Sequence, residues 1–298
     1  MYINDLPQDL NSYTMMFADD TKIYQVYNGD PNNAIQEDLD TLQERSERWL
    51  LKFHPKKCNQ LHLHRQNHIA SLPVRHLYES SDETRHPVPI SVVHEEKDLG
   101  IIFDEQLSFR SHISSIISKS LQMMGVIRRT FSNLSPELFL PLYKSLVRSR
   151  LEYGQSVWSP YMKTEIRKLE SVQRYATKRI NGFAHLEYQE RLQKLRLPSL
   201  LYRRRRGDMI EVYKLLNNQY DDSVKLALPL SNDQRRGHSQ KLFKQRTLRL
   251  DLRKYSFTNR VVDMWNNLPQ TVIDAKSVNS FKNRLDNHLK SETYQYLE

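Results

Sequence analysis

Residues 13–27 hold two strand-like runs, Tyr-Thr-Met-Met-Phe and Thr-Lys-Ile-Tyr-Gln-Val-Tyr, joined through Ala18-Asp19-Asp20. Tyr, Phe, Thr, Ile and Val suit a half-buried pleated surface, and Asp tolerates turn geometry. The pattern therefore predicts a hairpin with Asp19 and Asp20 at its tip. Asn28-Gly-Asp-Pro31 reads as a turn. The period then lengthens: Ile35, Leu39, Leu42, Trp49 and Leu50 fall at helical spacing with charged residues between them. That predicts an amphipathic helix packed under a sheet. Leu61-His-Leu-His64 alternates again, as a strand with His62 and His64 on one face. Residues 65–89 are polar and carry Pro73, Pro87 and Pro89, which predicts a long hairpin or a loop. Ile90–Val93 and Leu99–Phe103 read as paired strands around a turn at Glu95-Glu-Lys-Asp98.

From His112 onward the pattern is helical. Ile113, Ile116, Ile117, Leu121, Met124 and Ile127 make one apolar face. Ser135-Pro136-Glu137 reads as an N-cap, a first-turn proline and a first-turn acid, opening a helix to about Arg150. Thr164 is expected to cap a helix running to Ile180, and Leu186 to Asn217 holds one or two more. The fold class is α+β: strands and a helix in residues 1–105, a helical region in 106–185 and a basic helical region in 186–298.

Composition narrows the function. At 298 residues the chain suits about two domains. Its 7 glycines show neither a GxGxxG nor a GxxxxGK[ST] spacing, so no glycine-rich phosphate loop is present. The net charge of +10 favours a polyanionic partner such as nucleic acid, with an anionic membrane surface or plain solubility as alternatives. The lone Cys58 rules out an internal disulfide and fits a reducing compartment. No signal peptide or long apolar run is visible, so the expected location is nuclear or cytoplasmic and not secreted.

Three features carry candidate chemistry. Asp19-Asp20 is either a solvated turn or a metal-binding tip; two adjacent carboxylates recruit Mg²⁺ when a further oxygen ligand is near. A second pair, Asp221-Asp222, follows a helical stretch and lacks strands on both sides. Arg203-Arg-Arg-Arg206, flanked by Arg191, Lys194, Arg196, Tyr188 and Tyr202, is either a solvated helix or a phosphate-contacting one with aromatics for stacking. Four successive helical arginines point in all directions, so they cannot all face one partner. A further basic zone, Arg235, Arg236, His238, Lys241, Lys244, Arg246, Arg249, Arg253 and Lys254, contains no Cys–His grouping. Trp265 and Phe281 stand in helical contexts that read as core.

The order of short motifs sharpens this. Tyr2-Ile-Asn-Asp-Leu-Pro7, Phe17-Ala-Asp-Asp20, Pro55-Lys-Lys-Cys58 and Lys97-Asp-Leu-Gly-Ile101 precede Tyr188-Gln-Glu-Arg-Leu192, Leu197-Pro-Ser-Leu200, Arg204-Arg-Arg-Gly-Asp208, Trp265-Asn-Asn-Leu-Pro269 and Ser280-Phe-Lys-Asn-Arg-Leu-Asp286. The series resembles the reverse transcriptases of non-LTR retrotransposons, the jockey and CR1-like LINE group, from the FADD box onward. The resemblance implies the C-terminal part of a polymerase palm, then a helical thumb and a tail. It implies Asp19 as principal Mg²⁺ ligand with Asp20 beside it, and Lys57 as a general acid near departing pyrophosphate. It further implies that Lys97 and Gly100 belong to a primer grip. RNA template, DNA primer and dNTPs are the implied partners, with no membrane. The family's first catalytic aspartate and glycine-rich segment are not in the resemblance. The expectation is therefore a fragment, unable to polymerise alone and completed by upstream palm and fingers segments; the alternative is a non-catalytic nucleic-acid-binding remnant.

Overall fold

The structure is a computed structural model of the 298-residue chain. It describes residues 6–26, 34–50, 52–64, 72–81, 84–220, 226, 228–231, 237–246 and 251–295. Residues 2–5, the turn at 28–31, residues 65–71, Asp221-Asp222, Arg235, Arg236 and Arg249 lie outside the described residues. Small sheets and many helices together make a mixed α+β architecture, divided into two compact units, Met1–Leu107 and Ser108–Glu298.

In the first unit, strand β1 (Tyr13–Phe17) pairs antiparallel with β2 (Asp20–Tyr24), and helix α1 spans Ala34–Arg48. A 3₁₀ turn, Pro55–Lys57, leads into β3 (Asn59–Leu61). Then come β4 (His76–Ser81), β5 (Thr84–Pro89), β6 (Ser91–Val93), β7 (Glu95–Asp98) and β8 (Ile101–Asp104). These form four two-stranded sheets, β1–β2, β3–β6, β4–β5 and β7–β8, of which only β3–β6 is parallel. The polar stretch before Ile90 resolves into the β4–β5 hairpin.

Helix α1 fixes the entrance to the first hairpin. The buried Asp38 carboxylate accepts the backbone N–H of Asn11 at 2.8 Å and of Ser12 at 2.7 Å, and Arg45 pairs with Asp9 at 3.1 Å. Gln36 binds both backbone groups of His76, tying α1 to β4. The helix buries Leu42, but Trp49 and Leu50 do not continue its apolar face. They follow its end and are 48% and 83% exposed, with Leu50 in left-handed backbone at φ 57°. Two further expectations are corrected. The strand at Leu61 stops there, so His62 and His64 lie just beyond it. Glu95–Asp98 is a strand rather than a turn, because the bend falls at Leu99-Gly100, where φ is 44° and 86°. Positive φ at both central positions suits the twist of a two-residue hairpin, and Gly100 takes it without steric cost.

The second unit is helical: α2 (Arg110–Thr130), α3 (Pro136–Leu142), α4 (Ser149–Glu152), α5 (Gln155–Trp158), α6 (Lys163–Lys178), α7 (Tyr188–Leu195), α8 (Leu200–Leu216), α9 (Asp251–Tyr255), α10 (Phe257–Asn266), α11 (Gln270–Ile273) and α12 (Val278–His288). Ile113, Ile116, Met124 and Ile127 of α2 are buried, whereas Leu121 is exposed. The Ser135 hydroxyl accepts from Leu138 N–H, capping α3 as its sequence predicts. Pro141 removes one N–H from the ladder; a π segment, Tyr143–Arg148, follows and carries the helix into α4. Helix α6 starts one residue before Thr164, and its N-cap is Met162, whose side chain offers no cap hydrogen bond.

Phe139, Tyr143, Val147, Leu151, Leu169, Val172, Leu192 and Leu197 are all at most 1% exposed. A core cluster gathers Met209, Val212, Tyr213, Trp265, Phe281 and Leu285. Hydrogen bonds of Glu170 and Gln173 reach across position 185 to Tyr188, Pro198, Leu200 and Leu201.

Candidate functional site

Cα partners in the first hairpin run from Tyr13↔Tyr24 to Phe17↔Asp20, which leaves Ala18 and Asp19 as its two-residue turn. The left-handed angle falls on Ala18, φ 54°, rather than on an aspartate. A non-glycine residue there stores strain of order 1 kcal/mol. Asp19 and Asp20 are both exposed, and neither carboxylate has a side-chain hydrogen bond or ion pair with another described residue. One face of the hairpin is apolar and open: Tyr13, Met15 and Phe17 are 64%, 56% and 62% exposed, with Tyr13 stacked on Tyr24 at 5.1 Å.

Strand β7 gathers the other predicted residues of this unit. Lys22 of β2 makes an ion pair with Asp98 of β7, joining the Asp19-Asp20 hairpin to the one that turns at Gly100. Asn59 of β3 donates to Glu96 of β7 at 2.6 Å, and β3 continues directly from the Pro55–Lys57 turn. Lys57 and Lys97 are exposed. Asp19, Asp20, Lys57, Lys97 and Gly100 thus stand on elements linked through β7, whereas Arg203 to Arg206 belong to the other unit. Sequence reasoning missed Lys22 and Asp98. Their only signal was opposite charge at a position where the register of the two hairpins, unknown from sequence, brings them together.

Cys58 is not activated by the lysines before it. Burial raises its pKa, and its thiol lies 3.6 Å from the His54 carbonyl. His64 and His94 flank a carboxylate that the sequence did not associate with them, while His62 meets Gln60 at 2.7 Å. His64 Nε2 lies 3.6 Å from Glu105, and His94 Nδ1 lies 2.9 Å from the same carboxylate. Burial lowers the His62 pKa, with His64 and Arg75 acting in the same sense and Glu105 opposing. Among the described residues no group of three or more His, Cys, Asp or Glu is arranged to hold a metal ion.

Each arginine of α8 has a separate destination. Arg203 makes two bonds to Glu152, one of 2.7 Å; Arg206 makes two to Asp286, at 2.5 and 2.9 Å; Arg205, half exposed, pairs with Glu292 at 3.0 Å. Arg204 is 4% exposed and lies within the electrostatic reach of Glu170, Asp208 and Glu152. The flanking aromatics are core: Tyr188 donates to Glu170 at 2.6 Å and Tyr202 to Asp286 at 2.9 Å. A Cβ at Gly207 would meet Gln155 Nε2 at 1.8 Å, so the end of that flexible side chain would have to shift to admit one. In the later basic zone, His238 is buried, takes the Gln240 N–H on Nδ1 and donates from Nε2 to the Trp265 carbonyl. Lys244 pairs with Asp263. No helix among the described residues is long and apolar enough to cross a membrane.

No protein-family model matches the chain, and no solved structure matches it. Among curated proteins it is similar to the RNA-directed DNA polymerase from mobile element jockey of Drosophila funebris, 28% identical over 153 residues, half of this chain and 16% of that protein. The Drosophila melanogaster protein of the same name is 26% identical over 171 residues, 56% of this chain and 18% of the relative. An uncharacterised Caenorhabditis elegans protein is 25% identical over 126 residues, 41% of this chain and 64% of its own length. The chain therefore spans less than a fifth of the two polymerases. These matches support a relationship to reverse transcriptases of non-LTR mobile elements.

Proposed function

We propose that this chain is the C-terminal part of an RNA-directed DNA polymerase of a non-LTR mobile element, and that Asp19 and Asp20 contribute to its Mg²⁺ site. The observation carrying this reading is the hairpin tip, where two exposed carboxylates lack side-chain partners among the described residues, Asp19 in the turn and Asp20 at the start of the strand β2 that is tied to β7. Hard oxygen donors fit Mg²⁺, which is commonly held through one or two carboxylates with substrate phosphates and water filling the remaining positions. Bound there, the ion would offset charge on the attacking and leaving oxygens of phosphoryl transfer.

The protein's own groups then have separate tasks. Asp19 and Asp20 hold the cation, Lys97 and the bare backbone at Gly100 approach the growing DNA strand, and Lys57 offers a positive charge to departing pyrophosphate. RNA template, DNA primer and dNTPs are the partners. Oxygen ligands beyond the two carboxylates are assigned to substrate, water or polypeptide outside this chain.

Manganese titration tests the reading, since Mn²⁺ broadens nearby amide resonances. Selective broadening of the Phe17–Thr21 amides, lost in Asp19→Asn, is expected. Broadening that ignores Asp19→Asn overturns the proposed ligand. Primer extension on an RNA template, with the same substitution as control, asks whether this chain polymerises by itself.

The +10 charge favours a second reading, in which the chain binds nucleic acid without catalysis. Affinity should then fall steeply between low and physiological salt; a flat response removes this reading.

A further inference from the structure

With Arg203, Arg204 and Arg206 engaged inside the helical unit, nucleic acid needs another surface there, and a second set of aromatic and basic residues provides one. Tyr161 and Tyr255 stack with ring centroids 4.1 Å apart and planes 3° from parallel. Tyr161 is 46% exposed, and exposed Tyr153, Val157 and Met162 belong to the same short segment. A core tyrosine is normally enclosed; Tyr161 instead keeps large apolar surface in water while the partly buried Tyr255 backs it.

The pair is held in place by a clamp elsewhere on the same elements. Arg260 of α10 makes two bonds to Asp208 of α8, at 2.9 and 3.0 Å, and donates to the Ser156 carbonyl of α5 at 2.8 Å. Arg260 thereby fixes α10, and with it the preceding α9 that ends in Tyr255, beside the segment ending in Tyr161. The surrounding charge is positive. Lys254 Nζ lies 4.9 Å from the Tyr255 ring centroid, and Arg110 Nη2 lies 3.5 Å from Met162 Sδ. Lys163 is exposed next to Tyr161 in sequence, and the exposed Arg253, near Tyr255, donates to Gln245 Oε1 at 2.8 Å. Of the nearby acids, Glu165 is largely buried and paired with Lys168, which leaves Asp251 as the exposed carboxylate of α9.

We propose that the open face of Tyr161, backed by Tyr255, forms a stacking platform for single-stranded nucleic acid, with Lys254 and Arg110 contacting its phosphates. An open aromatic face next to long basic side chains accepts any base, because every base offers a π face while the cations meet the backbone. Duplex DNA keeps its bases enclosed and gains only the phosphate contacts. This deepens the nucleic-acid-binding reading and does not depend on metal at Asp19 and Asp20.

Fluorescence anisotropy with a labelled oligo-dT 20-mer, and with a duplex of equal length, tests the platform on the full chain. Tyr161→Ala and Tyr255→Ala should each weaken single-strand binding about tenfold, while Tyr161→Phe, which keeps the ring, stays near wild type. Lys254→Gln should weaken binding roughly threefold and flatten the salt dependence. Circular dichroism melts accompany each variant; should an alanine variant be unfolded, Lys254→Gln and Tyr161→Phe decide. If wild type binds the single strand and folded Tyr161→Ala and Tyr255→Ala bind equally well, the platform is wrong while the nucleic-acid reading survives. If wild type does not bind even at low salt, both fall. Equal affinity for duplex and single strand also overturns the platform.

Discussion

The Asp19-Asp20 hairpin and the arginine helix α8 are both charged motifs, and they use their charge in opposite ways. The hairpin holds its carboxylates in water with no side-chain partner among the described residues, on a turn that places Ala18 at φ 54°. Helix α8 directs Arg203 to Glu152, Arg206 to Asp286 and Arg205 to Glu292, and encloses Arg204. Groups that bind an external ligand must keep valence open; groups whose valence is filled internally stabilise the fold. A run of four arginines therefore says less about ligand binding than two aspartates on a strained turn.

The largest effect expected from this comparison lies at Glu170. Its buried carboxylate accepts from Tyr188 Oη at 2.6 Å and from the N–H groups of Leu200 and Leu201 at 3.2 and 3.3 Å, at the start of the arginine helix. Glu170→Ala leaves those donors unsatisfied and removes the first of the three carboxylates that offset the buried Arg204 charge, and should cost about 3–5 kcal/mol. Urea denaturation measures it. A loss below about 1 kcal/mol would mean that α8 is not held by its charges.

A smaller effect of definite sign is expected at Asp286. Burial acts to raise its pKa, but the bonds donated by Arg206 and Tyr202 outweigh it and hold the carboxyl below its ordinary range. A depressed carboxyl stabilises the fold above its unfolded pKa, and that contribution is lost as pH falls through the folded pKa. Stability should thus decline on the acid side of about pH 4, and Asp286→Asn should flatten that limb while costing about 1 kcal/mol at neutral pH. An acid limb unchanged in Asp286→Asn would assign it to other carboxylates.

The same contrast explains what was legible in the sequence. The first hairpin, the Ser135 cap and the core roles of Trp265 and Phe281 follow from local pattern, because strand period, capping chemistry and aromatic burial act over a few residues. The destinations of the arginines were not legible: Glu152 and Asp286 lie 51 and 80 residues from Arg203 and Arg206. Strand Glu95–Asp98 was read as a turn because four charged residues in a row have no apolar alternation, although the pairing is set by the Leu99-Gly100 bend. Trp49 looked like a helix-face residue because spacing alone cannot show that the helix ends at Arg48. Within the proposed metal site the carboxylates could be named from sequence, whereas the Lys22–Asp98 tie that joins their hairpin to β7 required the tertiary register.

The smallest expected effects concern the hairpin, and they separate it most cleanly from α8. Ala18→Gly should stabilise the hairpin by about 0.5–1 kcal/mol, as glycine accepts φ 54° without the Cβ clash. Hydrogen exchange of the β1–β2 amides reports it, and slower exchange is the expected outcome. Asp19→Asn should change global stability by no more than about 0.5 kcal/mol, since an exposed carboxylate with no side-chain partner among the described residues contributes little to folding. That near-zero value, set beside the large loss at Glu170, is the decisive contrast. A side chain that costs the fold almost nothing to alter, yet whose change removes Mn²⁺ broadening at Phe17–Thr21, owes its place on the tip to a ligand. If Asp19→Asn instead destabilised the chain by more than about 1 kcal/mol, its carboxylate would be a structural group like those around α8, and the metal reading would lose its physical basis.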